Sequence, residues 1–440
     1  MTTIIPFAAL RYNPDRIAQF ADVIAPPYDK ISHAERKNLW ERHENNVARL
    51  ILPPPGDKET DVMTQSMDEE DADWYHRSAH TIQSWKSNQI LTQDAPQLYT
   101  YKQTYNYKQN SYTRSGLFCA LRLDKGSGPH AHEFTFDGPK ADRLRLLKAT
   151  SINLSPIFLL SDGGYDEWEQ IFQLGQKPVM DFVDPKGQEH ALHAMADSTS
   201  IARAQEYLKN RTLVIADGHH RYETAVNYCK YMEEKTGLDS SQYGWGYVFA
   251  LIVPITNPGL LVLPTHRVLN NLSEEQLSAF QEKAAPCFDI DPLPDCTGET
   301  VKQALNQSQQ ENAIVFCSKN DSYLLTLKPE TTLPALNDIP KQTRDLNVSI
   351  LHHWIFPEGL NLSQDHLQEN TRYIRGEEEA IQMVRENEFD AAFLMKAISA
   401  ERVFDISQTG ERMPQKSTDF YPKIPTGLLM RPVDEKVTSV

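Results

Sequence analysis

The chain has 440 residues, more than one average hydrophobic core holds, so its length favours two or more domains or subdomains. Its net charge is −16, from 60 acidic and 44 basic side chains, which argues against duplex nucleic acid or an anionic membrane as the main partner. Apolar residues make up 40% of the chain, as in ordinary globular proteins. The sequence shows neither a membrane-spanning run nor a secretory signal, and its five cysteines lack CxxC spacing. Together these features predict a globular protein of the cytoplasm.

The first 90 residues predict loops, short strands and two helices. The pair Pro26-Pro27 forces an extended backbone that carries Tyr28 and Asp29. Ser32 followed by Glu35 predicts a capped helix start. The acidic, proline-rich residues 53–72 predict a loop, and apolar residues at helical spacing predict a helix over 74–85.

Strand and helix patterns alternate through the rest of the chain. Residues 97–124 and 313–327 each read as a hairpin with a polar turn, and residues 247–264 read as two buried strands around a proline-containing turn. Ser273 and Gln276 predict a second capped helix, and residues 377–408 read as helix, strand and helix. This mixture predicts the α+β class, with mixed sheets and surrounding helices.

The stretch "LVIADGHHRYETAVNYC", residues 213–229, contains the first cluster of candidate site residues. An apolar run ends at Asp217-Gly218, and helical spacing begins, so His219, His220 and Arg221 occupy the first turn of a helix. Cations there are unfavourable for the helix unless an anion binds among them. The cluster therefore predicts a phosphate site built by backbone N–H groups, the helix dipole, imidazoles and an Arg fork.

Other interpretations of this stretch stay open. Asp217 could cap the helix, or it could help to hold a divalent metal beside the phosphates. In the purely structural alternative, one histidine is packed in the core and Arg221 pairs with Glu223 or another neighbour.

The second cluster lies in "HAHEFTFDGPKADRLRLL", residues 130–147. His130 and His132 would share one face of a strand and Glu133 would lie on the other. A turn at residues 137–139 would then present Lys140, Asp142 and Arg143 ahead of a helix. A carboxylate beside an Arg/Lys pair suits a base next to an anion clamp, although a solvated helix start with an ion pair explains the same residues.

The third cluster is the proline-stiffened loop "MPQKSTDFYPKIPTG", residues 413–427. Lys416, Ser417, Thr418 and Lys423 offer donors for phosphate or carboxylate, although a charged loop is usually just solvated. The "PTHR" of residues 264–267 is a weaker signal of the same kind. No Walker loop, GxGxxG, GxSxG or HExxH motif occurs in the sequence.

Seven segments together resemble the domain-of-unknown-function 1015 family. They are "APPYD" (25–29), "NNVARLILP" (45–53), "HEFTFDGPKADRLRLL" (132–147), "NLSPIF" (153–158), "IADGHHRYETA" (215–225), "LPTHR" (263–267) and "MPQKSTDFYPKIPTG" (413–427). The resemblance implies one family region over 1–430. We expect a phosphate-site subdomain at 1–235, a second α+β subdomain at 236–430 that contributes the 413–427 loop, and a tail at 431–440.

The segment "IADGHHRYETA" also resembles the signature turn of the ParB/sulfiredoxin-like fold, which implies a core of that kind elaborated by extra subdomains. Free-serine kinases of that fold carry a similar Asp-Gly-His-x-Arg turn and use a glutamate as base. The resemblance implies a kinase that moves a phosphoryl group from diphosphate, ADP or ATP to the hydroxyl of free L-serine. In those kinases the glutamate lies in an N-terminal segment of a shorter chain, so its counterpart here is open.

The roles that follow are assigned to residues of this sequence. Glu133, Asp29 or Asp142 would take the proton, while His220 and Arg221 would stabilise the transition state. Mg²⁺ would be held by Asp217 or Asp142. The phosphate-binding set would be Gly218, His219, His220, Arg221, Lys140, Arg143, Lys416 and Ser417.

Two rival functions remain at the level of sequence. The first is a metal-dependent phosphoesterase with ligands among His130, His132, His219, His220 and His266, although adjacent histidines rarely chelate one ion. The second is a non-catalytic ParB-like module that binds nucleotide or DNA. The sequence leaves the donor, the acceptor and the oligomeric state undetermined.

Overall fold

A computed structural model describes residues 1–55, 73–124, 126, 128–133, 137–172, 177–308, 312–329, 331–414 and 416–437. The chain divides into two compact units. The first unit comprises Met1–Ala131, Thr135–Leu260 and Pro422–Val440, and the second comprises His132–Phe134 and Leu261–Tyr421. Most of the loop expected at residues 53–72 lies outside the described residues. The subdomain limits expected from the sequence stay a prediction.

The strands of the described residues follow in chain order. They are β1 (Ile4–Ile5), β2 (Leu10–Tyr12), β3 (Leu91–Gln93), β4 (Leu98–Tyr107), β5 (Asn110–Arg122), β6 (Ile152–Asn153), β7 (Ile157–Ser161), β8 (Met180–Val183), β9 (Glu189–Met195), β10 (Leu213–Asp217), β11 (Tyr247–Pro254), β12 (Leu261–Leu263), β13 (His266–Leu269), β14 (Phe288–Pro292), β15 (Ile314–Ser318), β16 (Ser322–Leu327), β17 (Thr371–Ile374), β18 (Ala391–Met395), β19 (Asp419–Tyr421) and β20 (Arg431–Pro432).

The helices of the same residues are α1 (His33–Arg42), α2 (Ala48–Ile51), α3 (Asp73–Ser87), α4 (Asp137–Thr150), α5 (Tyr165–Ile171), α6 (Ser198–Lys209), α7 (His219–Thr236), α8 (Glu274–Ala284), α9 (Gly298–Gln307), α10 (Lys341–Arg344), α11 (Asn347–Ile350), α12 (Gln364–Asn370), α13 (Glu377–Arg385) and α14 (Ala400–Gln408). A short 3₁₀ segment, Tyr28–Lys30, follows the extended Pro26-Pro27. Within the described part of the chain, no helix is both long and apolar enough to cross a membrane.

The first unit is built on a mixed sheet in the order β10-β7-β11-β5-β4-β9-β8, with β1 paired to β5. Strand β11 pairs parallel to β7 and antiparallel to β5, and every residue of β11 is buried. The continuous apolar run from Tyr247 to Pro254 is the pattern that a strand buried on both faces requires. The hairpin predicted at 97–124 is confirmed as β4 and β5.

Strand β10 lies at the end of this sheet and pairs antiparallel with β7. Its register shifts between Ile215 and Asp217, so that Asp217 lies opposite Phe158 of β7. Helix α7 follows directly and packs against α4. The C-terminal segment also belongs to the first unit, because β20 pairs with β6 and Met430 and Val433 are buried in its two apolar cores.

The second unit is built on an antiparallel sheet in the order β14-β16-β15-β18-β13-β17, and β12 pairs separately with β19. Its apolar residues form two clusters, which include Phe280, Phe316 and Phe393 in one and Val301, Val315 and Ile381 in the other. The capped helix start predicted at Ser273 is confirmed, since Ser273 and Gln276 form a reciprocal capping box on α8. The predicted hairpin at 313–327 is confirmed as β15 and β16.

The α+β class, with mixed sheets and surrounding helices, is confirmed in both units. Two local predictions are wrong. His130 and His132 do not share a strand face, because the backbone at His130 and Glu133 forms only isolated bridges. The turn predicted at 137–139 is the first turn of α4, so Lys140, Asp142 and Arg143 lie on the helix itself.

Candidate functional site

The turn from β10 to α7 places the first cluster at a helix N-terminus, as predicted. Gly218 is the N-cap with φ of 90°, a left-handed conformation that favours glycine. A Cβ at this position would come within 3.0 Å of the Arg221 guanidinium. Both the backbone and the space therefore require glycine here, and the close approach leaves Arg221 against the turn.

Asp217 is the centre of a charged group in this turn. One oxygen, Oδ2, accepts a hydrogen bond from Arg221 Nη2 at 2.6 Å, and Oδ1 accepts one from Lys423 Nζ at 2.7 Å. Arg221 Nη1 also donates to the carbonyl of Pro156. The N-cap residue of α7 is Gly218, and Asp217 lies one position before it. The expected ion pair of Arg221 is thus made with Asp217.

The cations around Asp217 outnumber the carboxylate. Burial alone would raise the pKa of Asp217, but Lys423 and Arg221, with a smaller effect from Lys30, hold that pKa well below its usual range. The Asp217 side chain is only 19% exposed. Three cationic side chains thus act on one carboxylate in a mostly buried place, which leaves positive charge for a bound anion.

Arg114, fully buried on β5, fixes the position of Lys423. Its Nη2 donates to Gln103 Oε1 at 2.5 Å and to the carbonyl of Pro422, the residue before Lys423, at 2.7 Å. Its guanidinium lies 4.9 Å from the centre of the Phe158 ring. The backbone just before Lys423 is thus anchored to β5 by a hydrogen bond.

A second buried group in the first unit surrounds Arg143 of α4. Arg143 Nε donates to Asp142 Oδ2 at 2.6 Å, and Nη1 donates to the carbonyl of Ile51 at 2.8 Å. The guanidinium lies 4.2 Å from the centre of the Tyr28 ring. Asp142 Oδ1 accepts from the Tyr75 hydroxyl at 2.7 Å, and burial together with Asp142 raises the pKa of Tyr75 to about 12. Arg143 and Asp142 therefore neutralise each other.

A cavity of about 60 Å³ joins these groups. It is lined by residues of five of the segments that carry the family resemblance, among them Tyr28, Ile51, Arg143, Ser155 and Arg221. Ser155 Oγ forms a 2.8 Å hydrogen bond with Thr426 Oγ1, which belongs to a sixth segment. Residues that are distant in sequence thus converge on one cavity of the first unit.

Three other predicted phosphate ligands of the first unit, His219, His220 and Lys140, lie on helices α7 and α4. His219 is buried and His220 half-buried in the first turn of α7. Lys140 Nζ lies 3.1 Å from Glu223 Oε2, an ion pair between α4 and α7. The described contacts of Lys140 thus give it a role in joining two helices.

The second unit contains Glu133 and the turn that carries Lys416. Glu133 Oε1 accepts hydrogen bonds from the backbone N–H groups of Ser417 at 3.1 Å and Thr418 at 3.4 Å. The Lys416 carbonyl accepts from Arg267 Nη2 at 3.1 Å, and His132 Nε2 lies 2.9 Å from the Thr418 hydroxyl. In this arrangement Glu133 fixes a turn of the backbone.

The residues expected to hold Mg²⁺ do not fit a magnesium site. Both carboxylate oxygens of Asp217 contact cations, and those of Asp142 contact Arg143 and Tyr75. The described residues contain no group of three or more His, Cys, Asp or Glu side chains that could hold a metal ion. His266, one of the histidines of the phosphoesterase alternative, accepts at Nδ1 from the backbone N–H of Met395, and burial lowers its pKa to about 3.

The sequence indicated Asp217, Gly218 and Arg221 because they stand together in one motif. It assigned no role to Tyr28, Ser155 or Thr224, although all three line the cavity. Lys423 was one candidate among several in its loop, and its pairing with Asp217 spans 206 positions. The only available signal for these residues was their presence in the segments of the family resemblance.

The chain belongs to the family described as "Protein of unknown function (DUF1015)", whose model matches residues 4–349. The predicted family is thereby confirmed. No curated protein matches the chain.

Solved structures give a distant likeness. A conserved hypothetical protein from Pyrococcus furiosus is 15% identical, with a TM-score of 0.35 over 73% of this chain and 94% of that chain. A free serine kinase in complex with AMP is 15% identical, with a TM-score of 0.36 over 71% and 92%. A mutant free serine kinase in complex with ADP is 14% identical, with a TM-score of 0.36 over 71% and 92%. These TM-scores are too low to carry a function over to this chain.

Proposed function

We propose that this protein is a small-molecule phosphotransferase that binds a phosphoryl donor at the β10–α7 turn. The observation that carries the proposal is the excess of cations around Asp217, where Arg221 and Lys423 meet the N-terminus of an 18-residue helix. The positive end of a helix and two charged donors are a combination that binds phosphate oxygens. Transition-state charge on a phosphoryl group is stabilised by the same kind of donors.

The proposed acceptor is free L-serine, and this part rests on the resemblance of the Asp217–Arg221 motif to the turn of free-serine kinases. In the reaction, the serine hydroxyl oxygen forms a bond to phosphorus and the bridging P–O bond of the donor breaks. The electron pair of that bond leaves with phosphate when the donor is diphosphate, or with the remaining nucleotide when it is ADP or ATP. The hydroxyl proton passes to a carboxylate.

Asp29 is the carboxylate that we favour as base. It is half-buried in the 3₁₀ segment Tyr28–Lys30, and both its charge and that of Arg221 act on the Tyr28 hydroxyl. Among the described residues, no hydrogen bond engages its carboxylate. Glu133, the alternative, already accepts the N–H groups of Ser417 and Thr418. His220 and Arg221 keep their proposed role beside the donor.

Mg²⁺ is expected to arrive with the donor phosphates, because it prefers substrate phosphates and water over all-protein cages. No step of the proposal depends on Asp217 or Asp142 as metal ligands.

A direct assay tests the proposal. The protein is incubated with L-serine, Mg²⁺ and either diphosphate, ADP or ATP, and ³¹P NMR monitors phosphoserine. We expect phosphoserine with at least one donor and a large loss of rate in Arg221→Gln. Saturable donor binding without any phosphoserine would instead support a nucleotide- or phosphate-sensing module, and it would contradict the enzyme proposed here.

A further inference from the structure

The cavity of the first unit contains a buried polar group that the protein itself does not satisfy. Thr224, on α7, is 4% exposed and lines the cavity. Within the part of the chain that the structure describes, its hydroxyl has no hydrogen-bond partner. Buried hydroxyls in native proteins nearly always have a partner, and an orphan in a cavity indicates a group that a ligand or water satisfies.

The other residues that line the cavity indicate the chemical class of the ligand. Leu146, Leu147, Ile157 and Val248 supply an apolar wall. The polar lining residues are Tyr28, Arg143, Asn153, Ser155, Arg221 and Thr224, and Asn153 is already engaged by the backbone N–H of Phe249. Burial raises the pKa of Tyr28, so that its hydroxyl stays protonated at neutral pH and can donate a hydrogen bond. Arg143 is not available to a ligand charge, because Asp142 already neutralises it. The cavity thus suits a molecule with hydroxyl groups and a short carbon chain.

The volume limits the size of the ligand. At roughly 10–15 Å³ for each ordered water, a cavity of about 60 Å³ holds about four to six waters. That space accommodates a compact aliphatic molecule. The Arg221 side chain lines the cavity and also belongs to the cluster at Asp217, so a compact molecule in the cavity lies next to the proposed donor site.

We propose that this cavity is the acceptor pocket, that it takes a compact hydroxy compound of about the size of serine, and that Thr224 bonds that compound directly. The inference rests on the proposed function, since Arg221 lines the cavity and also pairs with Asp217 in the cluster that we assign to the donor. It adds a specificity residue, Thr224, beyond the Asp217–Arg221 turn.

Isothermal titration calorimetry of Thr224→Val tests the assignment. The probes are L-serine, D-glycerate and ethanolamine, each titrated into wild-type protein, and diphosphate is titrated separately. We expect at least one hydroxy compound to bind, and its Kd to rise about five- to tenfold in Thr224→Val, the effect of one lost hydrogen bond to an uncharged group. Because no described protein group bonds the hydroxyl, the substitution breaks no hydrogen bond within the protein, and the Tm of the variant should be close to that of the wild type.

Thr236→Val, the same change at the exposed end of α7, is the matched control and should leave every Kd unchanged. The assignment is overturned when no probe binds, or when Thr224→Val binds its probe as tightly as the wild type. The separate titration of diphosphate distinguishes an error in the cavity assignment from an error in the proposed function. Wild-type protein that does not bind diphosphate contradicts the donor site, while the Thr224→Val result still decides the cavity.

Discussion

At Asp217, burial and the neighbouring cations act on the carboxyl pKa in opposite directions, and the cations dominate. The pKa in the folded protein is therefore lower than in the unfolded chain, where it is about 3.9. A group of this kind stabilises the fold fully above its unfolded pKa, and the contribution is lost as the pH falls toward the folded pKa.

Asp217→Asn should consequently lower the free energy of unfolding by about 2–4 kcal/mol at neutral pH, because two mostly buried cations lose their partner. The difference between wild type and variant should be constant from pH 5 to 8 and shrink below about pH 4. Urea denaturation across the pH range measures it. Asp181→Asn, at an exposed aspartate of β8, is the control. A difference that persists unchanged to pH 2 would contradict the ion-pair account.

Substitutions at Asp29 and Glu133, the two candidate bases, should have different effects on activity and stability. Asp29→Asn should lower kcat by about 10²–10⁴-fold, because the reaction loses its base. The Tm should change little, because none of the described hydrogen bonds involves the Asp29 carboxylate. Glu133→Ala should lower the free energy of unfolding by about 1–3 kcal/mol, because two backbone N–H groups lose their acceptor. Glu133→Gln retains an acceptor oxygen and should remain active. An inactive but stable Glu133→Gln, beside an active Asp29→Asn, would assign the base to Glu133.

At the scale of elements, the start of α7 depends on Gly218. Gly218→Ala should cost about 1–2 kcal/mol from the left-handed backbone, and its Cβ should also displace the Arg221 guanidinium, only 3.0 Å away. Gly237, at the other end of α7, has φ of 69° and open space around it. Gly237→Ala should thus cost similar stability without affecting diphosphate binding. Thermal unfolding and calorimetry compare the two, and equal diphosphate affinities would contradict the role of the turn.

Elements whose signals are local could be predicted from the sequence. The capping residues of α8 and the turn between β4 and β5 are examples, since each depends on residues a few positions apart. The candidate site could be predicted only in part, because Asp217, Gly218 and Arg221 are neighbours in sequence. Lys423 reaches Asp217 through long-range pairing of the C-terminal segment, which periodicity does not report.

The same physical limit applies to the alternative roles of Asp217 and Asp142. The local sequence suggests Asp217 as a helix cap, and only the fold brings Lys423 to its second carboxylate oxygen. The sequence suggests Asp142 as a metal ligand, and only the fold brings the hydroxyl of Tyr75, 67 positions away, to its carboxylate.

At the scale of the whole molecule, the first unit is completed by residues 422–440 of the chain. A protein truncated after Tyr421 would lose Leu428, Leu429 and Met430, which are at most 2% exposed, together with β20. At about 1.5–3 kcal/mol for each buried apolar side chain, the loss is comparable to the whole stability of a domain.

We therefore expect that truncated protein to lack a cooperative unfolding transition for the first unit in circular dichroism and calorimetry. Truncation after Glu435, which retains β20 and all three side chains, is the control and should fold. A cooperative first unit without residues 422–440 would show that the C-terminal segment is dispensable for that fold.

The affinity of the protein for diphosphate, measured by calorimetry in Lys423→Met, tests the anion site most directly. The loss of one charged donor should raise the Kd about ten- to a hundredfold, and Lys423→Arg should restore most of the affinity. Lys102→Met removes an exposed lysine of β4 and controls for net charge. If Lys423→Met binds diphosphate as the wild type does, the cationic cluster around Asp217 is not the phosphate site.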